Sequence, residues 1–182
     1  MPPEPGSAES DSSRLCRVEE FCSGSAPAAL LGAREMLLEY GRFVQAHVGA
    51  CHLGSLEEEA QGLPGNYHRQ GGGCLLAWYG NVTSGFVAWR PLPASTGEAA
   101  WEMKRLWVKP AARGLRLGHI LTQAILDRAS AAKQNAVLLD TVPQAMPAAH
   151  RIYLKLGFTP CEPYNANSTE GVIWLRKRLS SF

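Results

Sequence analysis

No apolar run in this chain reaches the length of about 20 residues that a bilayer-crossing helix needs, so no membrane partner is expected. The opening residues, MPPEPGSAESDSSR, hold neither a basic stretch nor an apolar one. That argues against a secretory signal and for a cytoplasmic protein. Cysteine is scarce and scattered: Cys16, Cys22, Cys51, Cys74 and Cys161 are odd in number and form no Cys-x-x-Cys. Reduced thiols are expected in place of a disulfide frame or zinc site, and no metal is assigned. A net charge of +2 over 182 residues is too small to argue for a nucleic-acid partner, and no basic patch interleaved with stacking aromatics supports one. Internal repeats are absent.

What the chain does contain is enough apolar residue, 46% of it hydrophobic, to bury one core. Residues 1–13, rich in Pro, Ser, Glu and Gly, read as a disordered tail, and 14–182 as a single domain. Leu15–Cys22 reads as a first strand. After Pro27 the spacing becomes helical, with Leu30, Ala33, Leu37, Tyr40, Val44 and Val48 on one face and an end near Gly49. SLEEEAQGLPG reads as a short acidic helix stopped by Gly62 and Pro64. CLLAWYG and SGFVAWRPL form a predicted β-hairpin in which Asn81 supplies the turn conformation. The strand WEMKRLWV follows, then a basic loop, then a helix with Leu117, Ile120, Leu121, Ala124, Ile125 and Ala129 on a stripe. AVLL, residues 136–139, has the continuous apolar character of a central strand. A compact helix from Pro147 to Leu156 and two closing strands complete an α/β (α+β) chain. Its expected core is a mixed, mostly antiparallel sheet of about six to seven strands with helices on both faces.

The chemistry is concentrated at the junction Trp101–Ile125. Arg113-Gly114-Leu115-Arg116-Leu117-Gly118 sits where a strand gives way to a helix. The first N–H groups of a helix lack intrahelical partners and the helix dipole favours negative charge there, so this junction suits an anion. The loop is not a Walker A motif, since the Lys-Ser/Thr ending is missing, and it does not have the spacing of a dinucleotide fingerprint.

The loop resembles the signature of the GNAT superfamily of N-acetyltransferases, Arg/Gln-x-x-Gly-x-Gly/Ala, with Arg113 and Gly118 at its first and last positions. Arg116 stands where the family prefers Gly, and its side chain there either adds charge beside the phosphates or crowds them. Downstream, Ala149-His150-Arg151-Ile152-Tyr153-Leu154-Lys155-Leu156-Gly157-Phe158 resembles the family's Ala-x-x-Leu-Tyr-x-x-x-Gly-Phe, with Met146 where an Asn often stands. The two motifs fall about thirty residues apart on the appropriate elements. EMKRLWV and the closing PYN…GVIWL resemble uncharacterised small members, which implies no particular acceptor.

The resemblance implies acetyl-CoA as co-substrate. Its pyrophosphate would lie on the backbone of Arg113, Gly114, Leu115, Arg116, Leu117, Gly118 and His119, and its pantetheine arm beside Leu106, Trp107 and Val108. His119 is read in preference as a residue of the exposed helix face. The resemblance also implies Tyr153 as the acid that protonates the departing thiolate, although its place on an apolar stripe fits core packing with a hydroxyl at the rim as well. Glu102, on the strand leading into the loop, is the candidate base. It would need a raised pKa or a water relay, and its alternative is an ion pair with Lys104 or Arg105. Asp140 is a second candidate base, read in preference as a helix or turn cap. The acceptor is expected to be a primary amine of a small molecule, amino acid or peptide, attacking directly in a ternary complex. Its rim would come from residues 40–67 and 164–167, with His47, His52, Tyr67, His68 and Glu57–Glu59 nearby. The protein is expected to be a monomer or homodimer, and the alternative function is a non-catalytic acyl-CoA-binding module.

Overall fold

A computed structural model describes residues 16–49, 53–93 and 97–179. The expected N-terminal tail and His52 lie outside them. Among these residues seven strands form one sheet: β1 (Cys16–Phe21), β2 (Gly73–Tyr79), β3 (Val82–Pro91), β4 (Ala100–Val108), β5 (Ala136–Thr141), β6 (Thr159–Pro160) and β7 (Ile173–Arg178). Their order is β1-β2-β3-β4-β5-β7-β6. Every pairing is antiparallel except β4 with β5, as the mixed, mostly antiparallel expectation requires.

Among the described residues five α-helices accompany the sheet: α1 (Pro27–Val48), α2 (Leu53–Gln61), α3 (Gly65–His68), α4 (Leu117–Ala131) and α5 (Pro147–Lys155). Pro27 starts α1, where its missing N–H costs nothing, and Gly49 ends it in a left-handed conformation with its N–H on the Gln45 carbonyl. α1 and α2 cover one face of the sheet, burying Met36, Leu37 and Leu56 against Leu76, Phe86 and Trp107. α4 and α5 cover the other, where Leu117, Leu121, Ile125 and Tyr153 meet Leu75, Val87, Met103 and Leu139. Alternate residues of β2 and β3 therefore serve opposite cores, as a pleated strand demands.

Two readings of the sequence need correction, and one element leaves no mark in it. Ile120 is 38% exposed and stands off the buried stripe of α4. The hairpin turn takes its positive φ of 57° at Gly80, not at Asn81, because the first of the two turn positions is the one held in the left-handed region. The tight helix α3, between Pro64 and Arg69, was not legible in the spacing.

β4 carries the irregularity that makes a site. Its register against β3 slips between Phe86 and Ala88, so that Trp107 faces Phe86 while Lys104 faces Ala88. The extra residue is Arg105, held at a φ of 60°, and this is a β-bulge. Beyond it Leu106 faces the α4 side and Trp107 the α1 side. On its other edge β4 pairs with β5 only through Ala100–Glu102 against Ala136–Leu138. The two strands then part in the middle of the sheet.

Candidate active site

Between the end of β4, the loop before α4 and the start of α5 lies a groove of about 430 Å³. Leu106, Trp107 and Val108 form one wall, and Met146, Pro147, Ala149 and Ile152 the other. Arg113, Gly114, Arg116, Leu117 and Gly118 form its end. A 3₁₀ turn, Pro110–Ala112, delivers the chain to that end. Gly114 and Arg116 hold φ values of 90° and 59°, while the N–H groups of Arg113 and Leu115 are already given to the carbonyls of Pro110 and Ala112. Arg116 is the N-cap of α4, and its side chain makes no cap hydrogen bond. Gly118 lets α5 come close: a Cβ there would sit 2.9 Å from Ile152 Cδ1. These features fit the pyrophosphate end of a coenzyme. A helix N-terminus without a cap or first-turn carboxylate offers free donors and positive potential, and the unpaired edge of β4 beyond Glu102 offers backbone groups along the groove.

α1 is fastened over this wall. Glu39 accepts a hydrogen bond from Trp107 Nε1 at 3.0 Å, and Glu35 pairs with Lys109 at 2.6 Å. The Arg113 guanidinium lies 5.4 Å from the centre of the Trp107 ring, within cation–π range.

A second, smaller cavity of about 40 Å³ opens where β4 and β5 part, lined by Tyr40, Met103, Lys104, Arg105, Leu139, Asp140, Thr141, Met146 and Tyr153. Met146 belongs to both cavities. Tyr153 is 5% exposed with its ring against Phe158. Burial, reinforced by the negative potential of Tyr40 and Asp140, pushes its hydroxyl well above the ordinary value, so it keeps its proton in neutral solution.

The model of the GNAT acetyltransferase family matches residues 42–158. The chain belongs to that family. A stretch of 84 residues is 37% identical to an uncharacterised N-acetyltransferase of Schizosaccharomyces pombe, covering 46% of this chain and 51% of that protein. The chain thus spans about half the length of that relative. Among solved structures, an acetyltransferase from Streptococcus agalactiae superposes with a TM-score of 0.70 at 18% identity, over 91% of this chain and 99% of that one. A Salmonella typhimurium structure with its cofactor acetyl-CoA gives 0.61 at 14%, over 91% and 95%. These two likenesses establish the fold.

Seen within this acetyltransferase family, Arg116 has a backbone explanation. The position is left-handed, which glycine adopts without steric cost, and the chain has an arginine there. Of the residues expected to hold the coenzyme, Leu106, Trp107, Val108, Arg113, Gly114, Arg116, Leu117 and Gly118 line the groove. Leu115 turns into the core and His119 lies outside the lining. Phe43 and Ala145–Ala149, which also line it, carried no signal beyond the second motif.

The expectation that Glu102 is the base needs correction. Its side chain is 1% exposed and accepts from Arg90 Nε at 2.6 Å, Lys104 Nζ at 3.3 Å, Tyr164 Oη at 3.2 Å and Asn165 Nδ2 at 3.3 Å. Burial alone would push the carboxyl up, but the charges and hydrogen bonds of Lys104 and Arg90 outweigh it and hold the carboxyl below its ordinary value. A direct base needs the opposite shift. The ion pair with Lys104 is present, while Arg105 goes instead to Glu59, with Nη2 to Oε2 at 2.9 Å. Tyr67, expected at the acceptor rim, is 4% exposed and donates its hydroxyl to Glu59. His68 is also drawn inward, its Nε2 buried without a partner, and His47 stacks on Phe43. Asp140 is no turn cap. Its Oδ2 accepts from Asn165 Nδ2 at 2.8 Å and Asn167 Nδ2 at 3.2 Å.

Proposed function

We propose that the protein transfers an acetyl group from acetyl-CoA to a primary amine by direct attack within a ternary complex. The observation that carries this reading is the adjacency of the two cavities: a groove ending in an uncapped helix N-terminus shares Met146 as a wall with a cleft lined by Tyr153. Acetyl-CoA would supply the activated thioester. The loop from Arg113 to Gly118 would bind its diphosphate through backbone donors, and the unpaired edge of β4 would hold the extended arm. Tyr153, on α5 at the cleft, would give its proton to the departing sulfur. A cytoplasmic setting, in which scattered cysteines stay reduced, belongs to this reading.

Calorimetric titration with acetyl-CoA and a thiol-release assay over amines, amino acid amides, aminoglycosides and peptides test the reading. Binding is expected for the wild-type chain and weakened by Arg113→Glu. Tyr153→Phe is expected to keep coenzyme affinity and lose kcat by about 10²-fold or more, the usual contribution of a positioned acid. No acetyl-CoA binding at all would refute the proposal. Binding without turnover would favour an acyl-CoA-binding module.

A further inference from the structure

Among the described residues a single side chain, Met146, lines both the groove and the cleft. Its backbone is fixed, with its N–H on the Val142 carbonyl at 2.9 Å and its carbonyl taking the His150 N–H at 3.1 Å where α5 begins. What is left to move is the thioether chain, unbranched and adaptable. Three other walls of the cleft have no such freedom. Met103, Leu139 and Tyr153 are 4%, 1% and 5% exposed and belong to the core beneath α4 and α5. Met146 is half-buried and lies in none of the apolar cores. The cleft measures about 40 Å³. At about 10–15 Å³ for each water-sized group, that is room for about three of them. An acetyl group has this size: a carbonyl carbon, its oxygen and a methyl. Much of the remaining lining, Lys104, Arg105, Asp140 and Thr141, is polar, and a longer hydrocarbon would strip water from it.

We propose that Met146 sets the length of the acyl group, admitting acetyl and turning away longer chains. This rests on the acetyltransferase reading, in which the sulfur ends the extended arm beside Tyr153 and the acyl group reaches past Met146 into the cleft. On the groove side of that wall the coenzyme's own arm takes the space. On the cleft side a chain longer than acetyl would have to displace Met103, Leu139 or Tyr153 from the core, which close packing resists. Selection by this wall is steric, and no bond to Met146 forms or breaks. One methylene too many in a fitted apolar pocket is worth about 10–200-fold. Met146→Ala removes Cγ, Sδ and Cε, joining the two cavities while the core stays shut.

Calorimetric titration of the full chain with acetyl-CoA and with butanoyl-CoA reads the selection with no acceptor present. The wild type should bind acetyl-CoA at least about tenfold more tightly than butanoyl-CoA. Met146→Ala should bring the two affinities within a few-fold of each other, chiefly by improving butanoyl-CoA. A wall with only a structural role would move both affinities together and leave their ratio alone. If the alanine variant does not fold, Met146→Val, which lacks the thioether end, should narrow the ratio in the same direction. Equal affinities in the wild type, or a ratio left unchanged by the substitution, would overturn the proposal. Failure of the wild type to bind acetyl-CoA at all would overturn the functional reading instead.

Discussion

Replacing Glu102 by Gln separates a structural carboxylate from a catalytic one. The side chain is 1% exposed and faces two cations, Arg90 and Lys104, whose side chains are 39% and 20% exposed. Gln keeps the shape and one acceptor oxygen but leaves both cations without their counter-charge. Losing one partner of a fully buried pair costs about 3–5 kcal/mol. Water still reaches Arg90 and Lys104 and screens the loss, so about 2–3 kcal/mol is expected here. For a chain of this size that lowers Tm by about 4–12 °C, at about 2–4 °C per kcal/mol. The pH dependence follows from the depressed carboxyl. A group held below its ordinary value of 4.5 adds stability that is complete above that value and is lost as pH falls through the lower, folded one. The gap between wild type and Glu102→Gln should therefore be full at pH 7 and shrink below about pH 4.5. Urea unfolding at pH 7, 5 and 4 reads both effects. A variant within about 0.5 kcal/mol of wild type at pH 7, the ordinary size of a neutral surface change, would refute the ion-pair account. A gap that stays constant down to pH 4 would refute the linkage.

Arg116→Gly should raise stability, because relief of a left-handed arginine is worth about 1–2 kcal/mol against about 0.5–1 kcal/mol of added chain entropy. Acetyl-CoA affinity should fall a few-fold, more at low salt than at high, if the side chain adds charge to the groove; an improvement measured by calorimetry would mark it as an obstacle. Gly32→Ala should destabilise, since a Cβ there would sit 2.0 Å from Thr83 Oγ1, and Thr83→Ala in the same chain should restore most of the loss in a thermal melt. In timed thiol labelling, Cys22, which is exposed, should react first among the described cysteines. Cys74 should resist until the chain unfolds, because it is buried and burial pushes its thiol up.

The order of elements was readable because periodicity is a local signal. Leu30 to Val48 and the run AVLL announced α1 and β5 through spacing alone, and the two motifs located the groove. The cleft was less legible. Its opening depends on one inserted residue, Arg105, in a strand whose pattern otherwise alternates. The trace it leaves in sequence is that Met103 and Leu106, three apart, share one face. The surroundings of Glu102 and Asp140 come from Asn165 and Tyr164, 25 to 63 residues away, and no spacing rule reaches across such a loop. Glu102 therefore looked like a base, when its neighbours make it a counter-charge.

The parting of β4 and β5 also bears on how this sheet meets other chains. An unpaired strand edge is ordinarily a liability, a template on which a foreign strand can add and fibrils can grow. Here two such edges open inward, between strands at the centre of the sheet, with helices packed over both faces. A whole neighbouring sheet cannot reach them. A thin extended molecule with amides of its own matches the shape and the hydrogen-bonding groups of such inner edges, whereas the outer edges of the sheet belong to β1 and β6.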